Sequence, residues 1–198
     1  MIIKINNLII AETHCDEFAE TEELTRKAFW DLFKPGCDEH FLLQRLRCRD
    51  CYIPELDFVA IEEGVIVGHA IATIAAVECV VMSAEEIAVS SRICADCRVV
   101  CIGPVSVLPE KQKEGIGCKL LYHLLERAGE LGYHAAFLYG HPGYYPRFGF
   151  VNAERYGITT RDGKNFDAFM ALELRPGALY GITGRFVEDS AFREPSLG

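Results

Sequence analysis

A mixed α/β fold is what this chain predicts, and three observations carry the prediction. A β-branched segment, residues 98–107, is halted by Pro109 and followed by a glycine-bearing loop and a long amphipathic helix over 117–131. Two strand-like segments, 56–62 and 65–77, flank the dipeptide Glu63-Gly64 and read as a hairpin. Helical patterns occupy the region ahead of that hairpin. Strands alternating with helices, with a hairpin at the front, imply a mixed sheet covered by helices.

Residues 2–5 alternate weakly and suggest a first strand. Over 16–33, Phe18, Leu24, Ala28, Phe29, Leu32 and Phe33 recur near helical spacing, with Asp16 as N-cap and Pro35-Gly36 as the stop. A second, shorter helix is expected over 39–47, turning Phe41, Leu42, Leu43 and Leu46 inward. The hairpin follows. Its second strand is the longest apolar run, interrupted by Gly68 and His69, and far short of the ~20 residues that cross a bilayer. Residues 79–97 carry no decisive period. In the helix over 117–131, Leu120, Leu121, Leu124, Leu125, Ala128 and Leu131 make one apolar face, and Gly132 suits the position just past its end. Strands are expected over 135–139, 149–152 and 168–174.

The chain has 198 residues and half of them are apolar, enough for one domain with a sizeable core, taken as 1–198. A formal net charge of −9 disfavours nucleic acid and anionic membrane as partners and suits an amine substrate. The N-terminal sequence MIIKINNLII lacks a signal-peptide layout, so a cytoplasmic protein is expected. Nine cysteines then read as reduced thiols. Cys48 with Cys51, and Cys94 with Cys97, are spaced C-x-x-C, but about 40 residues separate the pairs, against roughly 15–20 in common zinc ribbons. No metal is expected.

The loop between strand and helix carries the chemistry. Gln112, Gly115 and Gly117 stand at the spacing Q-x-x-G-x-G. Such a loop aims backbone N–H groups at one point where a helix begins, an arrangement that binds the diphosphate of a nucleotide-like cofactor. Neither the Lys-Ser/Thr of a P-loop nor the third glycine of a dinucleotide fingerprint is present. Downstream, Tyr144, Tyr145, Gly149 and Phe150 lie in YYPRFGF.

These two motifs, in this order, resemble those of the GCN5-related N-acetyltransferase (GNAT) family, and GHPxYYPRFGF resembles its bacterial YhbS-like members. The resemblance runs from about residue 22 to residue 177. It implies a mostly antiparallel central sheet flanked by helices. It implies acetyl-CoA as co-substrate, an acetyl group moved to a primary amine of a small molecule or peptide, and room for a homodimer. The diphosphate would lie on Gln112, Lys113, Gly115, Ile116, Gly117 and Cys118, and the pantetheine arm along Val105 and Val107. Tyr145 matches the general acid that protonates the departing thiolate. The base varies in this family. Glu55 and His141 are the leading candidates here, with Asp57 and His69 as rivals, and Phe29, Trp30 and Phe33 could line the acceptor side. The alternative is a sensor of this fold that binds acyl-CoA without turnover.

Overall fold

The computed structural model describes residues 3–5, 7–32, 35–82, 89–93 and 97–194. In chain order the strands and helices begin with β1 (Ile3–Ile5), β2 (Leu8–Glu12), α1 (Phe18–Phe29), α2 (Glu39–Arg47), β3 (Tyr52–Glu62) and β4 (Val65–Met82). Then come β5 (Val89–Ile93), β6 (Val99–Val107), α3 (Ile116–Glu130), β7 (Ala135–Tyr139) and β8 (Val151–Asn152). Last are β9 (Ile158–Thr160), β10 (Phe169–Glu173) and β11 (Gly184–Val187). Pairing is mostly antiparallel, with β6–β7 and β9–β11 parallel. No helix among the described residues is long and apolar enough to cross a membrane. The chain divides into two compact units: Met1–Thr73, Ile102–Arg127 and Ser190–Gly198 form the first, Ile74–Cys101 and Ala128–Asp189 the second.

In the first unit the strand order is β1-β2-β3-β4-β6. The expected hairpin is present: Glu62 pairs with Val65 across a turn in which Glu63 (φ 51°) and Gly64 (φ 82°) are both left-handed, as a two-residue hairpin loop requires. Strand alternation assigns the two faces of this sheet. Val59 packs with Leu24 of α1 and Ile66, whereas its neighbour Phe58 meets His123 of α3 at 4.6 Å between ring centres. α1 therefore covers one face and α3 the other. Strand β2 was absent from the sequence reading, because a short apolar strand behind two asparagines carries little periodic signal.

α1 is shorter than the expected span. A 3₁₀ turn over Cys15–Glu17 precedes it, and the Glu17 carboxylate, not Asp16, takes a terminal amide, accepting from His14 N–H at 2.8 Å. The helix ends at Phe29. Trp30 swings to ψ 125°, and the Asp31 carboxylate accepts Gly36 N–H at 2.8 Å. That local bond competes with another helical turn. Trp30 and Leu32 are consequently 51% and 59% exposed, and Leu32, expected at helical spacing, lies beyond the helix; Phe33 lies outside the described residues. α2 covers its expected residues, with Leu43 and Leu46 fully buried.

A buried ionic network ties both helices to the strands. The Asp57 carboxylate accepts from Arg47 (Nε, 2.9 Å), His69 (Nε2, 2.7 Å), Thr13 (Oγ1, 2.7 Å) and Tyr52 (Oη, 3.1 Å). Arg47 also donates to Thr21 of α1 at 2.9 Å and lies 4.0 Å over the Phe18 ring. Burial alone would push the Asp57 carboxyl up, but the His69 imidazole and Arg47 guanidinium outweigh it and hold Asp57 below the ordinary carboxylate range. The same burial, with Asp57 alongside, pushes the Tyr52 phenol up.

In the second unit, β6 residues 99–101 run parallel to β7 residues 135–137, β7 pairs antiparallel with β10, and β10 with β8. The end of β4 pairs antiparallel with β5 and with β11. The residues left unassigned in sequence thus hold the end of β4 and all of β5, apart from 83–88 and 94–96, which are outside the described residues. Phe186 of β11, another strand the sequence did not announce, stacks on Phe137 at 4.4 Å and approaches Phe169 at 5.6 Å, forming the aromatic core.

Replacing Asp57 by Asn should destabilise the protein by about 3–5 kcal/mol, because it removes the buried carboxylate bonded to Arg47 and leaves that charge to the partly exposed Glu22 at 3.7 Å; urea unfolding measures this. The folded-state pKa of Asp57 is depressed. Its contribution is therefore complete above its unfolded value, about pH 3.9, and is lost as pH falls through the folded value. The stability gap between wild type and Asp57→Asn should accordingly narrow below about pH 4.

Candidate functional site

Proline stops β6. Leu108 N–H still reaches Val67 O at 3.0 Å, and Pro109–Lys111 then form a 3₁₀ turn. Gln112 is extended (φ −68°, ψ 156°), and its carboxamide donates to Val107 O at 3.2 Å, closing the loop back on the strand. Lys113 (φ 68°) and Gly115 (φ 81°) are both left-handed. Such turns bring successive amides to one side of the chain. The N–H groups of Lys113, Glu114, Gly115, Ile116 and Gly117 reach no acceptor among the described residues; the helical ladder starts only with Lys119 N–H on Gly115 O at 3.1 Å. Gln112, Lys113 and Glu114 are exposed, and a Cβ added at Gly115 would meet nothing within 4 Å. The loop is open to solvent rather than packed on its own protein. A helix N-terminus with unsatisfied donors attracts an anion.

The nearby lysines differ. Lys111 is held by Glu62 at 2.5 Å, and that carboxylate raises its pKa. Lys113 is exposed on the loop itself and Lys119 lies half-buried on α3. Along β6, Val105 and Val107 are half-buried, while Ser106 between them is buried and bonds Thr25 of α1 at 2.9 Å.

Of the base candidates in this unit, Asp57 and His69 are fully buried in the ionic network and face no solvent. Glu55 is exposed and has no partner among the described residues. It lies where the β3–β4 register slips between Tyr52 and Asp57, the kind of irregularity that re-aims a side chain. Phe29 is half-buried, and Trp30 carries the Arg26 guanidinium 5.2 Å from its ring centre.

In the second unit, β7 ends at Tyr139 and Gly140 N–H bonds Ala168 O at 2.9 Å. His141 is exposed, and its Nδ1 accepts Gly143 N–H at 3.0 Å, so the neutral ring carries its proton on Nε2. The 3₁₀ turn Tyr145–Phe148 follows and ends at Gly149 (φ 93°). The half-buried Tyr145 ring lies directly on the Gly140 α-carbon, where any Cβ would overlap it, and meets Phe150 edge-on at 5.9 Å. Burial pushes its phenol pKa up. Tyr144 instead packs against the Arg147 guanidinium at 4.5 Å and the tilted Phe148 ring at 5.4 Å.

Residues 18–150 match the model of the acetyltransferase (GNAT) family. The chain belongs to this family. A GNAT family acetyltransferase from Brucella melitensis, solved with acetyl-CoA, is 26% identical with a TM-score of 0.70, over 95% of this chain and 99% of that one. The GNAT family N-acetyltransferase YhbS from Escherichia coli, solved with CoA, shares the fold at TM-score 0.76 and 23% identity, over 98% of this chain and 97% of that one. The ribosomal-protein-S18-alanine N-acetyltransferase from Escherichia coli shares it at TM-score 0.55 and 18% identity, over 84% of this chain and 94% of that one. None of the curated protein sequences matches this GNAT chain. Among its described residues no group of three or more His, Cys, Asp or Glu side chains could hold a metal; Cys94 of the second C-x-x-C pair is outside them.

Gly140→Ala should push the Tyr145 ring off its seat. A loss of about 1–3 kcal/mol in thermal stability is expected, the usual cost of overpacking. A change in the tyrosine near-ultraviolet circular dichroism should accompany it.

Proposed function

We propose that this protein is an acetyl-CoA-dependent N-acetyltransferase acting on a primary amine. The observation that carries the reading is the row of unengaged amides over 113–117, held open by two left-handed residues at the start of α3. With Gln112 and Cys118, these positions would take the diphosphate of coenzyme A. The edge of β6 at Val105 and Val107 would pair with the pantetheine amides as an added strand does. The ligands of the two similar GNAT structures, acetyl-CoA and CoA, support the choice of cofactor.

In the reaction, the amine nitrogen attacks the acetyl carbonyl carbon, the carbon–sulfur bond breaks, and the amine's surplus proton leaves to a base. Glu55 is our choice for that base, directly or through water, because it is exposed and unpaired. His141 could serve only by releasing the Gly143 turn bond from its Nδ1. Tyr145 would return a proton to the coenzyme A thiolate. A phenol whose pKa burial has raised stays protonated at neutral pH and can act as the acid. The 198 residues would act as one domain, since the family match runs through both units. The thiols of Cys15, Cys37 and Cys48 stand outside any disulfide, which fits a reducing cytoplasm.

Acetyl-CoA should raise the melting temperature of the wild type, and Gly117→Glu should abolish that shift by placing a carboxylate at the diphosphate site. Tyr145→Phe should keep the shift while lowering kcat about 100-fold, measured as thiol release over an amine panel. Binding with no turnover on any amine, and no effect of Tyr145→Phe, would instead mark a sensor.

A further inference from the structure

The second unit holds a cavity of about 410 Å³ whose lining includes Asn152, Glu154, Thr159, Asn165, Phe166 and Asp167. It lies between β8, the start of β9 and the loop that leads into β10. Its polar lining combines two carboxylates with two amides whose NH2 groups already donate, Asn152 Nδ2 to Phe166 O at 3.0 Å and Asn165 Nδ2 to Asn152 Oδ1. Asn152 Oδ1 is already used, accepting from Glu154 N–H and from Asn165 Nδ2 at 2.9 Å each. Thr159 gives its hydroxyl proton to Gly184 O at 3.4 Å. Asn165 Oδ1 is buried and receives no hydrogen bond, and turning the amide over would set its oxygen against Asn152 Oδ1. The carboxylates of Glu154 and Asp167 make no ion pair. Arg161 and Lys164 belong to the same loop but do not line the cavity.

The remaining wall is aromatic. Phe166 is 47% exposed and stacks on Tyr139 at 6.0 Å with 17° between the planes. Tyr139 is the last residue of β7, and the next residue, Gly140, carries the Tyr145 ring on its α-carbon. The cavity and the proposed acid therefore flank one strand end within the same unit. A space with surplus acceptors, two unneutralised carboxylates and an open ring face calls for a donor-rich cation on a short apolar stem.

We propose that this cavity binds the far end of the acceptor, so that the preferred substrate carries a second ammonium or guanidinium group beyond the amine that is acetylated. Glu154 and Asp167, both exposed, take its protons, and Phe166 covers its methylenes. The acceptor part of this proposal rests on the acetyltransferase reading above; the binding part does not.

Two measurements separate them. In thiol release with acetyl-CoA, butane-1,4-diamine should exceed butylamine in kcat/KM by about tenfold or more, the worth of a charge-assisted contact. Glu154→Gln with Asp167→Asn, and separately Phe166→Ala, should bring that ratio towards one. In parallel, butane-1,4-diamine titrated into the labelled protein should shift the side-chain amide signals of Asn152 and Asn165, and the double variant should lose those shifts. Equal handling of the two amines, a ratio the variants leave unchanged, or absent shifts would overturn the proposal. Shifts with no amine acetylated would leave the cation site standing and sink the acetyltransferase reading. Acetylation without shifts or preference would do the reverse.

Discussion

The proposed cofactor site depends on a few backbone N–H groups left without acceptors. Pro109 stops β6, Gln112 ties the loop back to Val107, and Lys113 and Gly115 turn left-handed. The chain then enters α3 with the amides of residues 113–117 unengaged. Main-chain donors suit an acidic protein. With a formal charge of −9, a diphosphate site built only from basic side chains would work against the molecule's own field, whereas fixed peptide dipoles act locally at a helix start. Glu62 reinforces the division of labour by engaging Lys111.

The first unit also shows why titratable residues cannot be ranked by type. Asp57 and His69 look like a catalytic pair at 2.7 Å, yet both are fully buried and shared with Arg47, Thr13 and Tyr52. Their work is mechanical: one carboxylate gathers groups from the chain ahead of α1, from α2 and from β4. Glu55, two residues earlier on β3, lies in the irregular stretch and faces out. A register slip thus separates a structural carboxylate from an available one.

Legibility followed the range of the forces involved. The hairpin at Glu63-Gly64, α2, α3 and the Q-x-x-G-x-G loop were all readable, because turn preference, apolar period and proline breaks act over a few residues. The end of α1 was not, because a side-chain bond from Asp31 to Gly36 outcompeted another helical turn. Strands β2, β5, β9 and β11 were also missed. Each is short and owes its place to a distant partner, as Phe186 does in stacking on Phe137. The cavity by Phe166 left no trace in the one-dimensional pattern, since its lining comes from β8, β9 and the loop before β10.

By itself, then, the order of residues determined the family motifs, the Q-x-x-G-x-G loop, the tyrosine turn and the alternation of helices with strands, all properties of neighbours along the chain. Tertiary structure alone decided which carboxylates are buried, that His141 spends its Nδ1 on a turn, that Tyr145 rests on Gly140, and that unpaired acceptors collect beside an open aromatic face. These outcomes depend on desolvation and on contacts between segments far apart in sequence, and no local pattern encodes either.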